Sequence, residues 1–395
     1  VPGERSAALA ILLVIFFSEA QVPQARGQAP SQPISARDLD HSIASAAEAL
    51  STLLRADGSF VYEARLDGRS IKSPYNLVRH AGTIYALNMF ESRSLSPATK
   101  WDIESALDFL KRNVRDALKG TPAASAVVTM SRDDGDTVLG ATALAVVAFT
   151  TAASRKQSEQ DKLLIAQMGR FLLSMQKPDG AFFSRYNFNS ALRDDSFQSL
   201  YYPGEAALAL VNLYAWDPSP DRVIWADAAR RALLHLADIR ARDGEYPPDN
   251  WALIATSALL DAGVPVTEQE RATLIAHGEG IAETDLRFQA EDPVLVGALT
   301  DSGSPVQTST RLEGLLAALT FIKSPRLIEA TKPVIKKAIA FLIRSQIKEG
   351  SFRGAFPETM IVDRPRQRHL FVRIDYIQHA LSALILARDR GLFGE

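Results

Sequence analysis

The 395-residue sequence contains no cysteine. That absence excludes disulfides, thiolate zinc sites and a cysteine nucleophile. There is no surplus of charge either: 44 Lys and Arg against 46 Asp and Glu leave a formal net charge of −2. Nucleic-acid binders carry a strongly basic surface, so no nucleic-acid partner is expected. The sequence also lacks His-x-x-Glu-His, Gly-x-Ser-x-Gly, a phosphate loop and a dinucleotide fingerprint, so no cofactor and no metal site is assigned. Asp285, Glu291, Asp292 and Asp301 could hold calcium, but their spacing is not that of an EF-hand loop. Hydrophobic residues make up 47% of the chain and charged residues 23%, an ordinary globular balance with material for a large core.

What is present is a repeat. Phe171, Leu172, Gln176, Asp179, Gly180 and Phe182 match Phe341, Leu342, Gln346, Glu349, Gly350 and Phe352. Weaker copies lie at Leu50–Phe60, with Asp57-Gly58-Ser59-Phe60, and at Leu233–Tyr246, with Asp243-Gly244-Glu245-Tyr246. Each reads as the end of an amphipathic helix, an acidic-Gly turn, and an aromatic that packs back.

Around these turns two kinds of helix alternate. Residues 101–117, 161–175, 222–237 and 332–345 are amphipathic and charged. Residues 81–90, 138–153, 204–214, 251–262, 312–322 and 374–387 are nearly all apolar and small. One-sided helices belong on a surface and all-apolar ones in an interior. Six interior helices, each beside a surface helix, are buried together by a ring of six hairpins, which leaves strands almost no room. Gly82, Gly140, Gly204 and Gly314, near four inner-helix starts, permit close approach of a backbone or a ligand. Segment 264–310 is broken by Gly278, Gly280, Pro293, Gly297, Gly303 and Pro305, so a short fifth outer helix and a loop across the mouth are expected.

Ahead of the ring, Arg5, the eleven apolar residues Ala7–Phe17 and Ser18-Glu19-Ala20 have the pattern of a signal peptide. About 20 apolar residues are needed to span a bilayer. The expectation is a secreted or periplasmic protein cleaved after residue 20, with an uncleaved anchor as the alternative and no membrane span after cleavage. Residues 21–37 read as a flexible linker and 38–395 as one domain.

The Gln-x-x-Asp/Glu-Gly-x-Phe turn at 176–182 and 346–352 resembles the repeat of the α/α-toroid proteins, over about residues 40–390. The resemblance implies an all-α, (α/α)6 toroid of six helical hairpins. Prenyltransferases, lanthionine cyclases and thioester domains of that group need a cysteine that this chain lacks. Class II terpene cyclases use an Asp-x-Asp-Asp acid; the nearest match, Asp133-Asp134-Gly135-Asp136, has a different acidic order. What remains looks like the six-hairpin glycosidases, polysaccharide lyases and sugar epimerases. That resemblance implies a groove at the mouth of the ring, with functional residues at the inner-helix starts.

Unusual residues do gather at those starts: Arg79 and His80 at the first, and Asp133, Asp134 and Asp136 before the second. Tyr201, Tyr202 and Glu205 open the third, Asp249 and Trp251 the fourth, and Arg311 and Glu313 the fifth. Arg373, Asp375, Gln378 and His379 open the sixth. Acids at helix N-termini are also ordinary caps. Glu205 differs, since one turn into an apolar helix a carboxyl has its pKa raised and suits a general acid. Arg79 and Arg373, on neighbouring helices if the ring closes, suit an anionic sugar or bind carboxylates across the seam. Trp251 and the tyrosines suit stacking on sugar rings.

The leading expectation is a secreted glycoside hydrolase on an acidic oligo- or polysaccharide. Glu205 would be its acid and Asp249 or an aspartate of 133–136 its base. A lyase or C5-epimerase would instead use Tyr201 or His379 to take a proton beside a carboxylate. The rival is a non-catalytic toroid that binds a glycan or protein on its rim, which would call for a flat, shallow mouth.

Overall fold

The computed structural model describes residues 34–393, apart from 70, 72, 95–96, 118–123, 128–134, 153–155, 291, 293–294 and 362–369. The expected signal segment 1–20 and most of the expected linker lie outside the described residues, as do Asp133 and Asp134. Elements are numbered in chain order. Six helices form an inner ring: α2 (Leu77–Ser94), α4 (Leu139–Thr151), α6 (Tyr202–Trp216), α8 (Asn250–Asp261), α10 (Pro305–Ala318) and α12 (Ile374–Asp389). Each packs on the next, and α12 returns to α2 to close the circle. Around them stand α1 (Ala36–Leu53), α3 (Pro97–Arg112), α5 (Glu159–Ser174), α7 (Val223–Asp243), α9 (Glu268–Arg287) and α11 (Pro325–Ser345).

The division follows the side chains. In α4 every residue from Leu139 to Phe149 is buried, which only a helix packed on all sides allows. The outer helices bury one face and cap themselves: Ser35 with Asp38, Ser158 with Asp161 and Thr267 with Glu270 form reciprocal capping boxes. Among the described residues strands are short. β1 (Glu63–Arg65) pairs with β7 (Phe371–Arg373), tying the first hairpin to the last. β2 (Val114–Ala117) pairs with β3 (Ala124–Val127), and β4 (Asp136–Val138), β5 (Arg185–Asn187) and β6 (Leu192–Asp194) form a small sheet. No helix among the described residues is long and apolar enough to cross a membrane.

The repeated turn has a physical basis that the sequence match misplaced. Gly180, at φ 95°, lies against α7 so closely that a Cβ would sit 2.5 Å from the Arg231 carbonyl oxygen. Gly58 makes the same approach to Ser105 of α3, and Gly297 to Lys337 of α11. In the last repeat it is Gly354, not Gly350, that meets the next outer helix, with a Cβ position 2.0 Å from the Ser45 oxygen of α1. The glutamines confirm the equivalence. Gln176 donates to the Gly180 and Ala228 carbonyls, and Gln346 donates to those of Gly354 and Ser42. The last turn therefore has four extra residues, and Phe356, fully buried, takes the place expected for the half-buried Phe352. Gly244 ends α7 at φ 70° with open space where a Cβ would stand, so in the fourth copy the glycine only stops the helix and it is Tyr246 that reaches the next outer helix.

The fifth outer helix is not short. α9 runs 20 residues, because Gly278 and Gly280 are seats for aromatic rings rather than breaks. A Cβ at Gly278 would strike Phe321, and one at Gly280 would strike Tyr246. The fifth inner helix starts at Pro305, ahead of the apolar run, and its first turns bury Thr308 and Ser309.

The turn account separates two glycines of like conformation. Gly354→Ala should cost about 2–4 kcal/mol, from left-handed strain and from overpacking against α1. Gly244→Ala, strained but unobstructed, should cost about 1–2 kcal/mol. Urea melts giving equal losses for the two variants would contradict the packing role of Gly354.

Candidate active site

The starts of the inner helices gather at one end of the ring and surround a cavity of about 330 Å³. Asn76, Val78 and Arg79 reach it from α2 and its approach, Leu144 from α4, and Ser199, Tyr201, Tyr202 and Glu205 from α6 and its approach. Asn250 and Trp251 come from α8, Val306, Gln307 and Thr310 from α10, and Asp375, Gln378 and His379 from α12.

Glu205 is buried, and its Oε2 has no hydrogen-bond partner among the described residues. Gly140 of α4 makes the room, since a Cβ there would lie 2.3 Å from that oxygen. Burial first, and the charge of Asp249 second, push the Glu205 carboxyl up to about 8. The group is thus a neutral acid at pH 7. That resolves how a carboxyl tolerates an apolar helix without an ion-pair partner.

Opposite it in the ring, α12 presents His379. Glu313 accepts a 2.9 Å hydrogen bond from His379 Nδ1. The same carboxylate accepts from Asn250 at 2.9 Å and from Ser382. With Nδ1 carrying its proton towards Glu313, Nε2 is the nitrogen with the lone pair. Burial alone would lower the His379 pKa; the charge and hydrogen bond of Glu313, with Asp375, outweigh it and raise the value. Trp251 stands edge-on to the imidazole at 6.2 Å and also faces Tyr85.

Arg79 and Arg373 do share one rim, as ring closure requires. Neither is a free cation. Arg79 Nε lies 2.9 Å from Asp375 Oδ2, and Arg373 holds both Asp375 oxygens at 2.6 and 3.0 Å. Asp375 thus already pairs with both guanidiniums, so the two arginines do not by themselves call for an acidic substrate.

Other expected residues stand elsewhere. Asp249, fully buried and absent from the cavity wall, caps α8 through Ala252 N–H and takes a 2.6 Å bond from Arg240. Arg240 in turn donates to His277 Nε2 at 3.0 Å. A carboxylate so held is a structural anchor rather than a free base. Asp136 begins β4 and accepts from Asn187, outside the lining. His80 points away from the lumen: it meets the Tyr75 hydroxyl at 2.7 Å and the Ala106 carbonyl at 2.9 Å, and burial lowers its pKa to about 4. Arg311 turns to α9, lying 3.6 Å from Asp285 and 4.2 Å over the Phe288 ring. Asp285 is buried there, and burial above all pushes its carboxyl up to about 8; Glu291 lies outside the described residues. Glu313 sits behind His379 rather than on the wall. Tyr202 lines the cavity against Gly140, and Tyr201 stands half-exposed at its mouth.

No protein-family model matches the sequence, and a search of curated proteins found no similar one. Solved structures match over nearly the whole chain. A cellobiose 2-epimerase from Spirochaeta thermophila superposes with a TM-score of 0.62 at 13% identity, covering 89% of this chain and 96% of its own. A GH76 α-mannanase from Bacteroides thetaiotaomicron gives 0.60 at 11% identity, covering 90% and 97%. A type II terpene cyclase from Scytonema gives 0.52 at 12% identity, covering 89% and 99%. The fold is an (α/α)6 toroid. Identities this low establish the toroid and leave its chemistry to the residues of the site.

Sequence reasoning passed over Asn76, Ser199, Gln307 and Thr310 of the toroid's lining. Asn76 and Ser199 stand a few residues ahead of inner helices, in the same place in the repeat as residues that were singled out. Gln307 and Thr310 escaped because α10 begins before its apolar run.

The raised carboxyl has a consequence for stability. The folded value of Glu205, about 8, lies above the ordinary 4.5. Its contribution is therefore complete below the ordinary value and lost as pH rises through the folded one. Glu205→Gln has no proton to lose, so its melting temperature should fall less than the wild type's between about pH 5 and about pH 9. Asp285, also pushed up to about 8, titrates in both proteins and cancels in the comparison. Equal falls would mean that Glu205 ionises like an exposed carboxyl.

Proposed function

We propose that this toroid is a carbohydrate-active enzyme that moves a proton on a sugar, as an epimerase or isomerase does. The observation that carries the reading is the pairing of a neutral carboxyl, Glu205, with an imidazole oriented by Glu313, His379, on opposite walls of one cavity. Glycoside hydrolysis calls for two carboxyl groups flanking the bond. Of the two acids that the described residues place on the cavity lining, Asp375 is held by two arginines and Glu205 is unpaired. The mouth is a half-enclosed cavity rather than a flat rim, which supports an enzyme over a binder. The sugar epimerases among the structural neighbours are consistent with this choice.

The chemistry balances within the site. In an open-chain aldose, His379 Nε2 takes the proton from the carbon next to the carbonyl. Glu205 gives its proton to the carbonyl oxygen, so the electron pair left by the C–H bond ends in a neutral enediol. Rotation of the enediol about its neighbouring C–C bond turns the other face to the imidazolium, which returns the proton to the same carbon while the Glu205 carboxylate takes back the hydroxyl proton; this gives the epimer. Return to the neighbouring carbon, with Glu205 recovering a proton from oxygen, gives the ketose. Trp251, edge-on to His379, walls one side of the imidazole.

Incubation with reducing mono- and disaccharides in D₂O, read by NMR, tests this. The expected result is deuterium at the carbon next to the carbonyl, with a new epimer or ketose. His379→Asn and Glu205→Gln should each reduce the rate by about 10²-fold or more with the fold intact. Release of new reducing ends without deuterium would overturn the reading in favour of hydrolysis. The pH profile should be a bell. Its acid limb lies above the ordinary imidazole value of 6.5, because His379 is raised and must be unprotonated. Its alkaline limb lies near 8, where Glu205 loses its proton.

A further inference from the structure

Asp375 lies on the cavity wall and has no part in the proton transfers. Both its oxygens are engaged by guanidiniums that arrive from two sides of the ring's seam. Arg79 comes from α2, and Arg373 from the end of β7. Arg79 also donates to the Tyr62 hydroxyl, which fixes its position. Two guanidiniums converging on one carboxylate is the arrangement by which proteins bind a ligand's carboxylate or phosphate. Here a carboxylate of the chain itself fills it, 6% exposed and covalently fixed at the start of α12.

We infer that Asp375 is a specificity residue: it occupies the cavity's anion site from within, so that the enzyme takes uncharged sugars and rejects sugar acids and sugar phosphates. This rests on the sugar reading above and narrows its substrate. An anion taking the place between both guanidiniums would have to evict Asp375 and leave it buried without its partners, at a steep cost. The rest of the wall suits hydroxyls. Asn76, Ser199, Asn250, Gln307, Thr310 and Gln378 supply uncharged amides and hydroxyls. The Gln378 amide is seated against Gly82, and its Oε1 is buried without a hydrogen-bond partner among the described residues.

Calorimetric titration of the whole chain with D-glucose, D-glucuronate and sulfate decides the matter without requiring turnover. Wild type should bind glucuronate about tenfold or more weakly than glucose. Asp375→Asn, which removes the charge and keeps the shape, should gain about tenfold or more for glucuronate and for sulfate. If the asparagine variant does not fold, Asp375→Ser presents the same two guanidiniums. Equal binding of glucose and glucuronate by wild type overturns the inference, as does a folded variant that gains affinity for neither anion. Failure of wild type to bind either sugar, with sulfate gained by the variant, would overturn the sugar reading and leave the filled anion site standing.

Discussion

A ring of helices has no end to fray, and its integrity depends on the contact that joins the last inner helix to the first. Ile377, Leu381 and Leu384 of α12 and Ala81, Ile84 and Leu87 of α2 are fully buried. Burial of each large side chain is worth about 1.5–3 kcal/mol. The charged cluster of Arg79, Asp375 and Arg373 lies at the same seam, and such buried ion pairs commonly come out near zero in net stability. Apolar contact therefore holds the ring shut. The ions at its rim are left to shape what enters.

The same closure produces the chemistry. All-apolar helices around a small lumen strip water from any ionisable group that reaches it, and the response depends on what each group touches. Glu205, beside Gly140 with no cation at hand, keeps its proton. His379, pinned by Glu313, is held more basic than a free imidazole. One environment thus yields an acid and a base on opposite walls.

Much of the fold was legible in the sequence, because burial writes itself as hydrophobic pattern. The inner helices α2, α4, α6, α8 and α12 and the outer helices α5, α7 and α11 fall close to where the pattern puts them, whereas α10 starts before its apolar run and residues 114–117, read as the end of a helix, form β2. Failures occur where pattern and packing part. Gly350 and Gly354 look alike in sequence, and only the approach of α1 tells which is the repeat's turn. Gly278 and Gly280 read as breaks because their aromatic partners, Phe321 and Tyr246, are distant in the chain. In the site, helix starts were the right place to look, but sequence cannot say which way a side chain faces. His80 and Arg311 start inner helices and point outward, and Asp249 meets an arginine nine residues earlier in the chain.

The account stands on the protonation state of one carboxyl. Selective ¹³C labelling of glutamate, with Glu205→Gln to assign the resonance, allows the Glu205 side-chain carboxyl carbon to be titrated directly by NMR. A midpoint near 8 is predicted. A midpoint near the ordinary 4.5 would leave an ionised carboxylate in the lumen at neutral pH, and the acid–base pairing proposed for this cavity would be wrong.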